Sequence, residues 1–381
     1  MNKMVITQIR DCYIAEIIRD GQVSDIIAEP SGEDELRVGD IHIGKVTNLV
    51  KNIGAAFVEV RKGIICYMSC DCKKVRQGDE VAVQVVKEAM KTKQAVVSMD
   101  LELSSEYCVI TYPEESFTIS RKIKSKTRRE ELFDIMESFR GRGFGVILRT
   151  SCLDASDDKI RREIERNMAR LELILRNSKS RTIYSCIHKA KLSVEARAEN
   201  LITSGGVDRV TTDLLNVYEK LKEVDDGRNI VQLYEDKSYS LDNMYSIQNN
   251  IEKLLSKHVW LRSGASLVIE QTEAFNVIDV NTEKAIRNNR NKESTFLKIN
   301  TEAAVEIARQ VRLRNLSGII LIDFINMRNS ENMQALMARL QEEFDEDPVE
   351  TVVVDATKLG IVEVTRKKIR RPLHEIMGKL H

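Results

Sequence analysis

The 381-residue chain is long enough for two or more domains, each with its own hydrophobic core. It is 42% hydrophobic and 31% charged, which is typical of a globular protein in water, and its 59 basic residues balance its 59 acidic residues. The neutral total excludes an overall basic surface, so any surface that attracts nucleic acid must be a local patch.

The cysteines and the N-terminal residues predict a cytoplasmic protein. Seven cysteines, an odd number, fit reduced thiols better than a disulfide framework. Residues 1–7 lack the apolar core of a signal peptide, and no apolar run is long enough to span a membrane. Cys66, Cys70 and Cys72 lie close together without a Cys-x-x-Cys pair, so we favour ordinary thiols there over the alternative of a zinc site.

Residues 1–37 predict a β-hairpin that cannot close a sheet alone. Two apolar runs, 14–18 and 23–28, flank the turn residues Asp20 and Gly21. We expect the missing partners from residues 184–257, which combine an apolar strand at 207–211 with helical patterns.

Residues 38–100 predict a small five-stranded barrel, because glycines separate short runs of alternating residues. A barrel of the OB-fold type binds single-stranded nucleic acid through aromatic side chains on its strands and basic residues at its rim. Phe57 and Tyr67 are the predicted stacking platform, although Phe57 could equally belong to the core. The predicted phosphate contacts are Lys45, Lys91 and Lys93.

Residues 101–183 combine short strands with a long amphipathic helix at 155–177. Arg149 and Thr150 follow one strand, and an arginine fork beside a hydroxyl suits a terminal phosphate. The alternative is an ordinary arginine at a strand end. A basic run that includes Arg121 and Lys122 extends to Arg129, and it predicts either a phosphate-binding patch or a solvated helix face.

Residues 258–381 alternate strands and helices, with helices predicted at 295–315 and 330–345 and strands at 319–325 and 351–355. Asp279 and Asp323 each follow a run of branched apolar residues. A lone charge on buried strands is costly unless it is paired or bound to a cation. On neighbouring strands the two acids would make an oxygen site for Mg²⁺ or Mn²⁺; the alternative is a helix N-cap or half of an ion pair.

The sequence around these two acids resembles the catalytic core of the ribonuclease E/G family. The resemblance is carried by the segments Thr272-Glu273-Ala274, Ile278-Asp279-Val280-Asn281, 306–314 and 322–325. Segments 39–47 and 54–58, together with both aromatics, also resemble the family's RNA-binding barrel. The resemblance is strongest over 266–372 and weak before 38 and between 184 and 250.

The resemblance implies an α+β and α/β multidomain fold. Residues 1–37 and 184–257 would form a ribonuclease H-like scaffold, with an OB-fold barrel (38–100) and a 5′-phosphate sensor (101–183) inserted into it. Residues 258–381 would form a deoxyribonuclease I-like catalytic domain. The scaffold has no acidic residues spaced like an active site.

The resemblance also implies roles for individual residues. Asp279 and Asp323 would bind the catalytic metal with support from Asn281, and Lys358 and Arg366 would hold flanking phosphates. Matching positions in the 5′-phosphate pocket are Arg149, Thr150, Val109 and Ser105. Two positions depart from the family pattern: Asn326 stands where a second acid is common, and Ser105 where glycine is usual. A backbone that needs a positive φ or a close approach to the ligand at this position would not accommodate serine.

We therefore expect a Mg²⁺-dependent endoribonuclease that acts in RNA processing or decay. It would cut single-stranded RNA to 5′-phosphate and 3′-hydroxyl ends and would favour 5′-monophosphorylated substrates. The departures at Asn326 and Ser105 keep open an alternative, a non-catalytic RNA-binding protein of the same fold. The zinc-linking Cys-Pro-x-Cys motif of larger members is not in this sequence, so no zinc is expected and any homodimer would form without a zinc link.

Overall fold

The computed structural model describes residues 1–32, 35–89, 93–272, 274–283 and 292–378. Two compact units make up the chain: Met1–Glu35 with Leu192–His381, and Leu36–Lys191. Within the described ranges, no helix has both the length and the apolar character needed to cross a membrane.

The elements follow one another as a mixture of strands and helices. The strands are β1 (Lys3–Ile9), β2 (Cys12–Arg19), β3 (Gln22–Pro30), β4 (Ile41–Val50), β5 (Ala55–Arg61), β6 (Ile64–Ser69), β7 (Glu80–Lys87), β8 (Val96–Ser98), β9 (Leu101–Ser104), β10 (Cys108–Tyr112), β11 (Phe117–Ile119), β12 (Gly145–Leu148), β13 (Cys186–His188), β14 (Arg209–Thr212), β15 (Val231–Leu233), β16 (His258–Trp260), β17 (Ser266–Gln271), β18 (Phe275–Asn281), β19 (Gly318–Asp323), β20 (Thr351–Ala356) and β21 (Ile361–Arg366). The helices are α1 (Lys126–Glu137), α2 (Asp157–Ser178), α3 (Ser193–Thr203), α4 (Leu215–Asp225), α5 (Leu241–Tyr245), α6 (Ile247–Leu255), α7 (Lys292–Leu313), α8 (Ser330–Phe344) and α9 (Leu373–Gly378).

One sheet of the first unit has the strand order β15-β14-β1-β2-β3. The predicted hairpin is β2–β3, and Asp20 and Gly21 both take positive φ, as a two-residue hairpin turn requires. Its partners β14 and β15 run parallel to β1 and come from the segment predicted to supply them. Side chains on both faces of β1 are buried in two apolar clusters. The same two apolar clusters include residues of the β2–β3 hairpin, and helices pack on each side of this sheet.

The other sheet of the first unit has the order β16-β17-β18-β19-β21-β20. Strands β18 and β19 are parallel and are connected through α7. Alternate residues of these strands, such as Ile278 and Ile322, are buried in a core that includes the apolar face of α7 at Ile299 and Ile307. The remaining alternate residues lie on the opposite face of the sheet.

In the second unit, β4 to β8 form a closed barrel, since β4 pairs with both β5 and β7. Its interior is apolar, and the strand β13 adds to β4 from outside the ring. Gly44 allows two strands to approach closely: a Cβ there would lie 2.5 Å from Cγ1 of Val58. The remainder of the unit is a sheet of order β11-β12-β10-β9, whose core is shared with α1 and α2.

Candidate active site and RNA-binding surfaces

Asp279 and Asp323 are direct neighbours across the parallel strands β18 and β19. Residues paired in this register project from the same face of a sheet, and adjacent strands lie about 4.8 Å apart. This face is opposite to the buried core, so Asp279 is half-buried and Asp323 is exposed. The pairing therefore brings two carboxylates together at the accessible end of the sheet.

Asn281 belongs to the same cluster because it lies two residues after Asp279 on β18. Its Nδ2 donates a hydrogen bond of 2.7 Å to Oδ2 of Asp279, which orients that carboxylate. Within the described part of the chain, no hydrogen bond or ion pair engages the Asp323 carboxylate, and Asp279 has no ion pair. Three oxygen-bearing groups thus share one end of the sheet.

The exposure of these acids corrects one premise of the sequence analysis. The carboxylates do not sit in a buried sheet centre, so desolvation does not by itself require a cation beside them. The helix N-cap alternative also fails for Asp323, because Asn329 caps α8. Asp279 lies within a strand and is not a cap either.

The donor set is suited to a hard divalent cation, because carboxylate and amide oxygens are the ligands that Mg²⁺ and Mn²⁺ prefer. The structure contains no group of three or more histidine, cysteine or acidic side chains arranged to hold a metal ion, as far as the described residues extend. The Asn281 amide lies beside the two carboxylates and adds an oxygen-bearing group to this end of the sheet. Glu273, in one of the family-like segments, lies outside the described residues.

Lys358 and Asn326 both lie near the carboxylates. Lys358 is exposed on the β20–β21 turn, and β21 then begins at Ile361, which pairs with Asp323. Asn326 contacts the same turn, since a side chain at Gly360 would come within 3.1 Å of its Oδ1. Glu363 was not among the residues predicted from the sequence. It pairs with Leu321 and lies on the same outer face of the sheet as Asp323. The alternation of apolar and polar residues along β21 could have revealed it.

Arg366 does not fit the predicted role in holding RNA. Its side chain is buried, with Nε and Nη2 bonded to the carboxylate of Asp347 at 2.8 and 3.3 Å. Nη1 donates to Oδ1 of Asn315 and to the carbonyl of Leu316. Because the guanidinium is enclosed and committed to these acceptors, we correct the prediction and assign Arg366 a structural role.

The barrel carries the predicted pair of aromatic side chains on its outer surface. Phe57 and Tyr67 are opposite each other on β5 and β6, with ring centroids 6.2 Å apart and planes at 80°. Both are half-buried, whereas the barrel core is formed by the alternate residues Val58 and Met68. The alternative of a core position for Phe57 therefore does not hold, and a base could stack on these rings.

The basic residues around this platform differ in their surroundings. Lys45 is exposed but lies between Glu59 and Glu80 on the adjacent strands, which offset part of its charge. Lys93 is exposed, and Lys91 lies outside the described residues.

The three clustered cysteines of the barrel lie in different surroundings. Cys66 is in the barrel core, whereas Cys70 and Cys72 follow β6 with their sulfurs 4.0 Å apart.

Arg149 and Thr150 lie on the surface at the end of β12, as predicted. Nη1 of Arg149 donates to the carbonyl of Ser105 at 2.7 Å, and Oγ1 of Thr150 lies 2.9 Å from Oγ of Ser120. Val109 is half-buried on the neighbouring strand β10. Ser120 was not among the residues predicted from the sequence. Its hydroxyl is within hydrogen-bond distance of Thr150, and the basic run begins at the next residue, Arg121.

Ser105 adapts to its position without backbone strain, since its φ is not positive. Its hydroxyl is directed to α2, where it lies 2.6 Å from both Oε1 of Glu163 and Nδ2 of Asn167. The serine side chain is thus held by α2, while its carbonyl faces Arg149. A left-handed conformation, one of the two reasons for glycine at this position, does not apply here.

The basic run divides into two functional groups. Arg128 donates to the carbonyls of Cys152 and Ala155, and Arg129 donates to those of Ser120 and Ile123, so both stabilise the fold. Arg121 and Lys122 are exposed directly after Ser120. They therefore place positive charge beside Arg149 and Thr150.

Fold and site together define a protein with a carboxylate cluster on one sheet and an aromatic, basic barrel surface. The model of the ribonuclease E/G family matches residues 102–369. The ribonuclease G of Salmonella typhimurium is 30% identical over 372 residues, covering 89% of this chain and 74% of its own, and that of Haemophilus influenzae is 31% identical over 369 residues with the same coverage. The ribonuclease E of Synechocystis is 26% identical over 388 residues, 96% of this chain and 57% of its own. The chain belongs to the ribonuclease E/G family.

Proposed function

We propose that this protein is an endoribonuclease that hydrolyses single-stranded RNA in RNA processing or decay. The observation that carries the proposal is the register pairing of Asp279 with Asp323 on an accessible sheet face. Family membership supports it, because the relatives are ribonucleases by name. We further propose that the two sheets of the first unit correspond to a ribonuclease H-like scaffold and a deoxyribonuclease I-like catalytic domain.

In this proposal Asp279 and Asp323 hold a divalent ion, Mg²⁺ or Mn²⁺. When bound, such an ion stabilises charge on the scissile phosphate and makes water a better nucleophile. Asn281 fixes the orientation of the Asp279 carboxylate through its 2.7 Å hydrogen bond, and Lys358 supplies a cation for a flanking phosphate. Attack of water on phosphorus breaks the bond to the 3′ oxygen and leaves 5′-phosphate and 3′-hydroxyl ends.

The test is cleavage of a short unstructured RNA labelled at its 3′ end. We expect cleavage with Mg²⁺, none with excess EDTA, and recovery when Mg²⁺ is restored. The departure at Asn326 favours one other candidate, an RNA-binding protein without turnover. Tight binding with no metal-dependent cleavage would support that candidate instead.

Replacing Phe57 with alanine is expected to weaken RNA binding by about 1–3 kcal/mol, because one base would lose its stacking surface. The ring lies on the outer barrel surface, so the thermal unfolding temperature should change little. Fluorescence anisotropy with a labelled oligonucleotide measures the affinity. Phe133→Ala is the matched control, since that ring is 48% exposed on α1, away from the platform. Equal RNA affinity in wild type and Phe57→Ala would remove Phe57 from the binding surface.

We also propose that Arg149 and Thr150 recognise a 5′-monophosphate. Arg149→Ala should then abolish a preference for 5′-monophosphate over 5′-hydroxyl RNA. A charge-assisted fork contributes about 1.5–3 kcal/mol, or roughly ten- to a hundredfold in kcat/KM. The measurement compares paired substrates that differ only at the 5′ end.

Arg121→Ala is the control for this experiment, because its exposed charge should act equally on both substrates and depend on salt. Equal cleavage of the two substrates by the wild-type protein, unchanged in Arg149→Ala, would show that the protein cuts internally without sensing the end.

A further inference from the structure

A cavity with a partly polar lining lies in the first unit, separate from the carboxylate cluster. It has a volume of about 310 Å³ and lies where the end of β17 meets the C-terminal ends of α6 and α7 and the start of α9. Its lining includes Lys257, Glu270, Thr272, Arg314 and His374. At this end of β17, Gln271 pairs with Asn276, three residues before Asp279, so the cavity is displaced along the sheet from the candidate active site.

Arg314 is the unusual member of this lining. Its side chain is buried, with the residue only 5% exposed, and its Nε donates to the neutral Oε1 of Gln310 at 2.7 Å. Among the described residues, its Nη2 has no hydrogen-bond partner. The charge of Glu306 favours the protonated guanidinium, but Glu306 forms no ion pair with it, and its Oε1 accepts a hydrogen bond from Nε2 of Gln310. A guanidinium enclosed without a carboxylate is costly, so an anion in the cavity would supply the missing acceptor.

The other charged side chains of the described lining offset each other. Lys257 at the rim pairs with Glu270 at 2.9 Å, so this carboxylate is already engaged. Burial lowers the pKa of Arg314 to about 10, which leaves the guanidinium charged at neutral pH. The backbone around it is well anchored, since the amide of Leu373 donates to the carbonyl of Arg314 at 3.0 Å and ties α9 to the end of α7.

We propose that this cavity binds a phosphate-bearing ligand about one nucleotide in size, with the guanidinium of Arg314 as its anchor and Lys257 at its entrance. A planar fork with unused N–H groups suits phosphate oxygens. The volume is at the lower end of the range for small-molecule sites, which fits a nucleoside monophosphate. The same phosphate chemistry could come from a free nucleotide or from an RNA end, and the experiment separates these sources.

The test is isothermal titration calorimetry on the full-length protein with inorganic phosphate, AMP, adenosine and a 5′-phosphorylated RNA trimer. We expect AMP and phosphate to bind and adenosine not to bind. Arg314→Met should weaken AMP binding about tenfold or more, because a hydrogen bond to a charged group is lost. Lys257→Ala, at an exposed position, should weaken it a few-fold, and Lys237→Ala, exposed elsewhere in the unit, should not.

Thermal unfolding provides the second readout. Excess AMP should raise the unfolding temperature of the wild-type protein but not that of Arg314→Met. The ligand-free variant should be at least as stable as wild type, because an unpaired buried charge has been removed. If the wild-type protein binds the trimer but neither AMP nor phosphate, and both Arg314→Met and Lys257→Ala lose trimer binding, the phosphate in the cavity belongs to an RNA end. If the wild-type protein and both variants have the same affinity for each of the four probes, the proposal is overturned.

Discussion

Asp279→Asn and Asp323→Asn are each expected to lower the rate of RNA cleavage by about 10³-fold or more, which corresponds to about 4 kcal/mol of transition-state stabilisation. The two carboxylates are paired in register, so each variant removes one of the two charges that would hold the metal ion. RNA affinity should change only a few-fold, because both variants keep Lys358, and because the aromatic platform, Arg121 and Lys122 lie in the other unit of the chain.

The measurement is a single-turnover cleavage rate at several Mg²⁺ concentrations, with RNA affinity measured separately in EDTA. Glu342→Gln is the matched control, because it removes one carboxylate from the exposed side of α8, away from the cluster. It should cleave at the wild-type rate. A double variant of Asp279 and Asp323 that keeps substantial metal-dependent activity would show that the catalytic metal is held elsewhere.

Arg366→Met is expected to lower the free energy of unfolding by about 3–5 kcal/mol, the usual loss when one partner of a buried ion pair is removed. The Asp347 side chain is 0% exposed and its carboxylate receives two hydrogen bonds from this guanidinium, so the variant leaves a buried charge without its partner. The acceptors on Asn315 and Leu316 also lose their donor.

Urea unfolding followed by circular dichroism measures this loss. The neighbouring substitution Lys367→Met is the control: its pair with Glu350 is exposed and screened by solvent, so the free energy of unfolding should change little. Adding Asp347→Leu to Arg366→Met should recover part of the stability, because no unpaired charge then remains. If Arg366→Met instead had wild-type stability and weakened RNA binding, the phosphate-binding role predicted from the sequence would be restored.

Periodicity explains why much of the fold was predictable. Alternating residues and turn glycines located the barrel strands, and the closed ring of β4 to β8 confirmed the barrel. The same alternation distinguishes Phe57 and Tyr67 from the core residues between them, because side chains in a strand point to opposite faces in turn. The helix predicted at 295–315 is α7, Lys292–Leu313, and its apolar face is buried.

By itself, the sequence determined the strands and helices with the clearest periodicity, which faces of those strands are apolar, and that acids end two of the apolar runs. These properties depend on neighbours along the chain, and local periodicity records them. Family resemblance added the expected roles of the acids, and the family match confirmed the relationship.

Only the tertiary structure decided which side chains meet and which are covered. Asp279 faces Asp323 because α7 returns the chain so that β19 runs parallel to β18 in one particular register, and a shift of one residue would have placed the acids on opposite faces. Arg366 is enclosed because folding brings it to Asp347, 19 residues away, and Arg314 is enclosed without any carboxylate partner among the described residues. Burial and pairing depend on residues far apart in sequence, so local patterns could not distinguish these arginines from exposed ones.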